Sequence, residues 1–600
     1  MTRPYVERAA RHAAERDREQ LMSTRLSRQR LATFIPGLAL VVWALAHGGA
    51  TLPLVAGIAL FVVFAFLVGY HARIEERVAS HEAMRVANVR ALARTERRWD
   101  DLPAADAPAP IDVAHHPYAM DLDVFGRASL FQWLGPAATP AGSARLAGWL
   151  LAAAQPDEVL ARQRAVTELA RLEDWRERLA AHGILAAGAR QIEIDAFLAW
   201  AQSPPTLSRA WQPVVLVLTA SIWVLGGLHY AGVVQGAFWL IPAVIGLILW
   251  FAMGHAIDGS FSRAGAGESA LRRYASLFEH ATAQRFESDA LRDAQQRLSA
   301  EGRSAPLCMR RFNRILGFST LRYGAAMLHF PIQFLTLWDF HVMFALDRWR
   351  AHTGSRVRGW LEGLADIDAL ASLAAARFDN PEWCMPELDA GPVYAARGLG
   401  HPLIPDERRV ANDVTLGPPG TLLLVTGSNM SGKSTLLRSI GLNAVLAQAG
   451  GCACATSLRL PPSDLQTSIR VQDSLALGLS YFMAALARLK GVVDAAERPR
   501  PGRVLLYLLD EILQGTNSAE RGIAVQGVAR HLLAAGAIGA MTTHDLNLAA
   551  EEPLISAATL VHFTETVDED GGMRFDYRLL DGLATSRNAL RLMRLIGIDL

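Results

Sequence analysis

Two long stretches of the chain carry no charged side chain, and they set its pattern. Residues 31–70 contain no Asp, Glu, Lys or Arg and are interrupted near the middle by His47-Gly48-Gly49 and Pro53. Residues 210–257 repeat the arrangement, with an interruption over 226–236. A membrane span needs about 20 apolar residues. Each stretch therefore reads as a hairpin of two spans, with arms at 31–46 and 54–70, then at 213–228 and 233–251. Core helices of a soluble protein are the rival reading, but they would need more covering chain than the flanks offer. A cleaved signal peptide is favoured by Ala44-Leu45-Ala46 and opposed by four acids in the first thirty residues and by the apolar arm that follows at once.

Outside these stretches the period changes twice. Residues 71–209 place apolar side chains three and four apart, as in Leu160-Ala161, Ala165-Val166 and Leu169, which predicts helices around a Pro- and Ala-rich linker at 102–110. Helical spacing returns over 258–380. Within it, residues 325–346 are apolar enough for a fifth span but hold Pro331, Asp339, His329 and His341, which favours a buried helix pair or one lying at the membrane surface. From residue 381 onward short apolar runs at 421–426, 504–509 and 538–543 alternate with helical segments, the pattern of a buried parallel sheet. The expected organisation is a cytoplasmic N-terminus (1–30), hairpin one (31–70), a helical region (71–209), hairpin two (210–257), a second helical region (258–380) and an α/β domain (381–600).

Composition and charge narrow the function. Six hundred residues exceed one hydrophobic core and suggest about four units. A hydrophobic content of 51% with 20% charged residues excludes a disordered chain. The balance of 59 Lys and Arg against 58 Asp and Glu removes any argument for nucleic-acid binding from global charge. Only local patches can carry that case: the net-basic 272–314 stretch, which reads first as orientation signals or contacts to anionic lipid and second as a nucleic-acid contact, and Arg310, Arg311, Arg314, Arg348 and Arg350 with Trp349. The four cysteines form no CxxC pair and are too few for a disulfide framework or zinc site, as in a reducing cytoplasm. Arginine also orients the spans. Eight precede residue 31 and seven fall in 71–100, whereas the hairpin tips have none, so the N-terminus and the α/β domain are expected on the cytoplasmic side of an inner membrane.

The chemistry-bearing residues lie in the last third. The strand at 421–426 leads into Gly427-Ser428-Asn429-Met430-Ser431-Gly432-Lys433-Ser434-Thr435 and then a helix, which is GxxxxGK[ST] in its strand-loop-helix setting. With 48 glycines and two lysines in the chain, a chance match has odds of about one in a thousand. Backbone N–H groups between the glycines would cradle the phosphates of ATP, Lys433 would reach the β and γ phosphates, and Ser434 would ligate Mg²⁺. The second strand ends in Asp510-Glu511, which suits Asp510 to the metal side and Glu511 to activating the attacking water. His544, at the carboxyl end of the third strand, lies where ligands bind in such sheets and suits a γ-phosphate-sensing role.

TGSNMSGKST, LLDEILQGTN and TTHD, in this order, resemble the ATPase domain of the MutS family, a P-loop NTPase of the ABC/MutS type, over about 400–560. Residues 472–483 resemble a further segment of that family, whose serine, here Ser480, meets the ATP of the opposite subunit. The resemblance thus implies a homodimer with composite sites, and Gly515, Thr516 and Asn517 fall where the family's loop also crosses between subunits. Residues 360–373, leading to His401-Pro402-Leu403-Ile404, resemble the helical approach to that ATPase. DNA binding and mismatch repair are what the family implies, yet its Phe-x-Glu wedge finds a counterpart only in Phe563-Thr564-Glu565, beyond the strands. Ala485 and Ser428 also depart from the family pattern, where a glutamate and a proline are usual.

Two readings follow. The first is a membrane-anchored MutS-like ATPase in which ATP closes a dimer and hydrolysis reopens it, moving helical arms that hold DNA or a membrane or protein partner. The second is an ABC-like component for signalling or transport acting on a protein or lipid partner. Against it stand the missing LSGGQ segment and the absence of any ionised side chain in the four arms.

Overall fold

The computed structural model describes residues 2–108, 111–135, 137–187, 191–299, 304–319, 326–389, 391–428, 431–470, 481–513, 518–545, 552–567 and 573–583. Two helices of equal length open the chain, α1 (Thr2–Ala46) and α2 (Thr51–Thr95), paired antiparallel along most of their length. Gly48 and Gly49 both adopt positive φ, so the predicted break falls where glycine makes left-handed backbone cheap. Pro53 does not break the chain. It lies in the first turn of α2, where its missing N–H costs nothing.

Shorter helices follow: α3 (Leu130–Leu134), α4 (Pro140–Leu151), α5 (Pro156–Arg171), α6 (Glu173–Ala186) and α7 (Gln191–Gln202). A second long pair comes next, α8 (Trp211–Tyr230) and α9 (Leu240–Ala283), then α10 (Asp289–Leu298), α11 (Ala305–Ser319), α12 (Ala326–Thr336), α13 (Trp338–Thr353) and α14 (Val357–Asp379). The boundaries expected at 30/31, 70/71 and 257/258 all fall inside continuous helices. Helical hydrogen bonding does not stop where hydrophobicity does, so the apolar arms and their charged extensions form single rods. The second interruption is also shorter than expected, since α8 runs to Tyr230 and α9 begins at Leu240.

Among the described residues, four helices are long and apolar enough to cross a membrane by length and composition, and at most 22% of any of their apolar windows is buried. Leu52, Val62 and Phe66 are 81, 65 and 73% exposed. A soluble core would cover such side chains.

The C-terminal third is α/β. Strands β1 (Glu387–Leu388), β2 (Tyr394–Leu399), β3 (Asn412–Leu416) and β5 (Ser457–Leu460) make a small sheet ordered β1-β5-β2-β3. Among the described residues the main sheet has six strands, ordered β12-β9-β4-β8-β7-β6, from β4 (Leu422–Thr426), β6 (Ser463–Ser468), β7 (Val504–Asp510), β8 (Ile538–Thr543), β9 (Ala558–His562) and β12 (Leu580–Asp581). Of its pairs, β12–β9 is antiparallel and the rest are parallel. Strands β10 (Glu565–Val567) and β11 (Met573–Phe575) form a separate ribbon. Helices α15 (Lys433–Ala449), α16 (Tyr481–Glu497), α17 (Ser518–Ala534) and α18 (Leu554–Ala557) complete the domain.

Because β4, β7 and β8 are covered on both faces, they read as unbroken apolar runs rather than alternating ones. On one face Leu437, Ile440, Leu506 and Ile538 join a core continuous with Trp133, Leu146, Val166, Trp360 and Leu373 of the helical region. On the other, Leu424, Tyr507, Leu509 and Met541 pack with Val492 and Leu532 of α16 and α17. The helical region and the sheet therefore share one core.

A polar contact reinforces that joint. Asp121, fully buried, accepts hydrogen bonds from Thr467 Oγ1 (2.7 Å) and from the N–H groups of Ile469 (3.0 Å) and Arg470 (3.2 Å), and its own carbonyl accepts from Arg438 Nε (3.0 Å). One residue of the helical region thus grips the end of β6 and the helix α15. Asp121→Ala would leave the Thr467 hydroxyl and the Ile469 and Arg470 N–H groups without this acceptor, at about 1–3 kcal/mol for each that stays buried. We expect it to lower the urea midpoint of unfolding, with Asp121→Asn in between.

Two expected surface contacts are corrected. Trp349 is 4% exposed and packs on Phe312 with ring centroids 4.7 Å apart, and Arg350 is 5% exposed and paired with Asp347. Both lie on the face of α13 that α7 and α11 cover, so neither can stack on or contact a nucleic acid. Arg311, Arg314 and Arg348 are exposed, and Arg310 is paired with Glu279 at 2.7 Å.

Candidate active site

The site forms where β4 ends. Gly427 (φ +145°) and Gly432 (φ +111°) occupy backbone that disfavours any side chain, and a Cβ would meet Ser431 Oγ at 2.8 Å and Tyr577 Cδ1 at 3.1 Å respectively. Glycine is thus required twice, by conformation and by space. The loop turns directly into α15, whose first N–H groups point back toward it and supply a positive dipole end.

Lys433 is 5% exposed. Its Nζ donates to the carbonyls of Gly427 and Ser428, each at 2.8 Å, and lies 3.1 Å from Glu511 Oε1. Ser434 Oγ donates to Asp510 Oδ2 at 2.5 Å, while Asp510 Oδ1 accepts from Thr542 Oγ1 at 2.5 Å. Thr542 Oγ1 in turn accepts the Glu511 N–H at 3.0 Å. The other Glu511 oxygen lies 3.4 Å from His544 Nδ1.

Parallel register explains this convergence. Asp510 is the last residue of β7 and pairs with Thr542 of β8, while β8 also pairs with β4, so the strand ends deliver their side chains to one rim. Glu511 adopts φ +43° and Leu513 φ +61°. Left-handed backbone costs a non-glycine residue about 1–2 kcal/mol, strain that collects at functional sites.

The cavity is about 1030 Å³ and is lined by Lys433, Ser434, Thr435, Asp510 and Glu511, by Phe563 and Tyr577, and by Arg97 and Trp99 from the turn that follows α2. Its residues suit a magnesium nucleotide on their own chemistry. Ser431 Oγ, within the loop, is buried and has no hydrogen-bond partner among the described residues, which leaves an unused donor there. Ser434 and Asp510 offer the hard oxygen donors that Mg²⁺ prefers.

Of the residues singled out from sequence, Gly427, Ser428, Ser431, Gly432, Lys433, Ser434, Thr435, Asp510, Glu511 and His544 come together here. Asn429, Met430, Ser480, Gly515, Thr516 and Asn517 lie outside the described residues. Sequence reasoning gave no site role to Thr542, Tyr577 or Glu565. Thr542 had a signal, a hydroxyl at the end of an otherwise apolar strand, whereas Glu565 had none: its carboxylate accepts from Ser428 Oγ at 2.6 Å. Phe563 is 2% exposed and its N–H donates to Thr426 O at 3.1 Å. The Phe563-Thr564-Glu565 triplet is therefore part of the wall of the site, and no exposed wedge.

His401, on the same cavity wall, is held down to about 4, first by burial and then by the positive charges of Arg438 and Arg409. The fold keeps it neutral, while the unfolded chain takes up its proton near pH 6.5. Its contribution to stability is complete above pH 6.5 and is lost as pH falls toward 4, by about 2–3 kcal/mol. His401→Asn should flatten this part of the pH profile when urea midpoints at pH 7 and 4.5 are compared with those of the parent.

Residues 423–599 match the family described as MutS domain V. The chain is 32% identical over 274 residues to DNA mismatch repair protein MutS 2 of Haloarcula marismortui, covering 41% of this chain and 28% of that protein. It is 31% identical to the MutS 2 protein of Halobacterium salinarum, with the same two shares. It is also 33% identical to DNA mismatch repair protein MutS of Parasynechococcus marenigrum, over 40% of this chain and 27% of that one. The match thus spans little more than a quarter of the length of these relatives. The C-terminal part of this chain matches MutS domain V, and about two fifths of its length is similar to MutS proteins.

Proposed function

We propose that this chain is a membrane-anchored MutS-like ATPase with a P-loop NTPase fold in its C-terminal domain, hydrolysing ATP to ADP and phosphate. The placement of Glu511 between Lys433 and His544, beside the Ser434–Asp510 pair, carries the reading. It brings a phosphate-binding cation, a metal-binding pair and a base onto one rim.

The roles follow from the contacts. Loop N–H groups and Lys433 hold the phosphates and neutralise them. Ser434 and Asp510 would hold Mg²⁺, which would neutralise phosphate charge when bound. Glu511 orients the attacking water and takes its proton, with the Thr542 hydroxyl fixing its backbone. His544, 47% exposed at its side chain, is placed to follow the γ-phosphate from the rim. Ser480 acts in trans in a homodimer, so two chains complete each site.

Four helices, in α1, α2, α8 and α9, span an inner membrane, with the N-terminus and the ATPase domain in the cytoplasm. Closure and reopening of the dimer move the helical region through the shared core. DNA is the first partner to test for that region. The experiment is the ATPase rate of the detergent-solubilised full chain with homoduplex, mismatched and branched DNA across a salt series, with Glu511→Gln as the blank. Salt-sensitive stimulation places the helical region on nucleic acid. An unchanged rate with every DNA, beside clear basal turnover, removes DNA and leaves a membrane protein or lipid as partner.

A further inference from the structure

We propose that α12 and α13 form a re-entrant pair, dipping into the bilayer from the cytoplasmic side against α8 and α9 and presenting Phe330 to lipid hydrocarbon. The inference rests on the reading of α8 and α9 as membrane spans. Residues 326–346 hold one charged side chain, Asp339. Leu337, in left-handed backbone at φ +51°, makes the turn between the two helices.

Contacts fix the depth of that turn. A Cβ on Gly246 would lie 2.4 Å from Leu337 Cδ2, so the turn is pressed against the backbone of α9. From Leu240 to Gly246 a helix rises only about 9 Å, which sets Leu337 close to the far end of the span. Trp239, just before α9, meets Phe334 with ring centroids 6.3 Å apart. On α8, Thr219 Oγ1 lies 3.2 Å from His341 Nε2. At the cytoplasmic end Asp347 accepts from the N–H groups of Thr206 (3.1 Å) and Leu207 (3.0 Å), just ahead of α8. From Leu337 to Asp347 the rise is about 15 Å. In a hydrocarbon core about 30 Å thick, both routes place the turn at or beyond the midplane. Helix α11 shares this course: Trp338 Nε1 donates to Phe318 O at 3.0 Å and Trp349 Nε1 to Cys308 O at 2.9 Å, so α11 runs antiparallel beside α13.

The polar groups are arranged as that depth requires. Asp339 is fully buried, with Oδ1 2.9 Å from His329 Nε2 and Oδ2 accepting from Trp250 Nε1 at 2.8 Å, while its N–H donates to Gln333 Oε1 at 2.9 Å. An acid in hydrocarbon persists only with such partners, and here the Trp250 bond fastens the pair to α9. Near the turn the outward side is apolar, with Phe330 53% and Phe318 49% exposed, matching Ile248 at 61% and Phe251 at 70% on α9, while the exposed Arg310, Arg311 and Arg314 of α11 lie toward the cytoplasmic end, within reach of the headgroups. Helices lying on the membrane surface would not reach Trp239.

The test reconstitutes the full chain in phosphatidylethanolamine–phosphatidylglycerol vesicles containing tritiated phospholipid, with p-benzoylphenylalanine at one position at a time. Position 330 is compared with 62, on the first hairpin, and with 192, which is 73% exposed in the helical region. Position 318 serves as a second probe should the substitution at 330 disturb folding. After irradiation, lipid attached at 330 or 318 should come within about twofold of that at 62, and about tenfold above that at 192, if both lie in hydrocarbon. Labelling at 330 and 318 no higher than at 192, with 62 labelled, overturns the re-entrant pair while leaving the spans. Absence of label at 62 as well overturns the spans and the inference together.

Discussion

Glu511→Gln is expected to keep ATP binding and to lose turnover by about 10²–10⁴-fold, the usual contribution of a positioned general base. The side chain is nearly isosteric, and its amide can still meet His544, so the rim keeps its shape. What it loses is the ability to take a proton from water. Since ATP then stays bound, the variant should accumulate as the closed dimer, read as a shift to twice the mass in light scattering with ATP and Mg²⁺. Wild-type turnover in this variant would remove Glu511 as the base and return the role to another acid on the rim.

Lys433→Ala acts one step earlier. Lys433 supplies a cation in a dry position, held by two carbonyls and Glu511. Charge-assisted contacts to phosphate are worth about twice a neutral hydrogen bond, so affinity for ATP should fall about 100-fold or more, roughly 3 kcal/mol. Equilibrium dialysis with labelled ATP reads this directly. Because the substitution also leaves Glu511 without its cation, Lys433→Arg is the useful companion: it restores charge but not the compact reach of an ammonium, and should recover only part of the binding. Full binding by both variants would place the phosphates elsewhere in the cavity.

Much of this site is legible in the amino-acid sequence alone, for a physical reason. A phosphate loop needs glycine where φ is positive, lysine at the helix start and an acid at a strand tip, so its chemistry sits in contiguous residues. Asp510 and Glu511 stand out because they end an apolar run. Glu565 and Tyr577 do not, because they reach the loop through the ribbon that follows β9, and no local pattern records such a contact. Asp121 shows the same limit, since it looks like one more acid in a loop yet caps the end of β6 and braces α15. The helical region shows the converse. Its apolar spacing reveals helices, but a rod continuing past the apolar arm carries no signal at the boundary. Trp349 and Arg350 read as surface residues because local spacing does not say which face of α13 its neighbours cover. Over 326–346 a helix pair is present, with α13 mostly buried and α12 exposed at Phe330. Its setting beside α8 and α9 depends on Gly246, Trp250 and Thr219, which are distant in sequence.

The most direct measurement is phosphate release from ATP by the purified full chain in lipid vesicles, in Mg²⁺ and again in excess EDTA, with Lys433→Ala run in parallel. The account predicts turnover that needs Mg²⁺ and vanishes in the variant. Turnover that survives EDTA or matches the Lys433→Ala preparation would contradict it, since neither the Ser434–Asp510 pair nor the phosphate loop would then take part in hydrolysis.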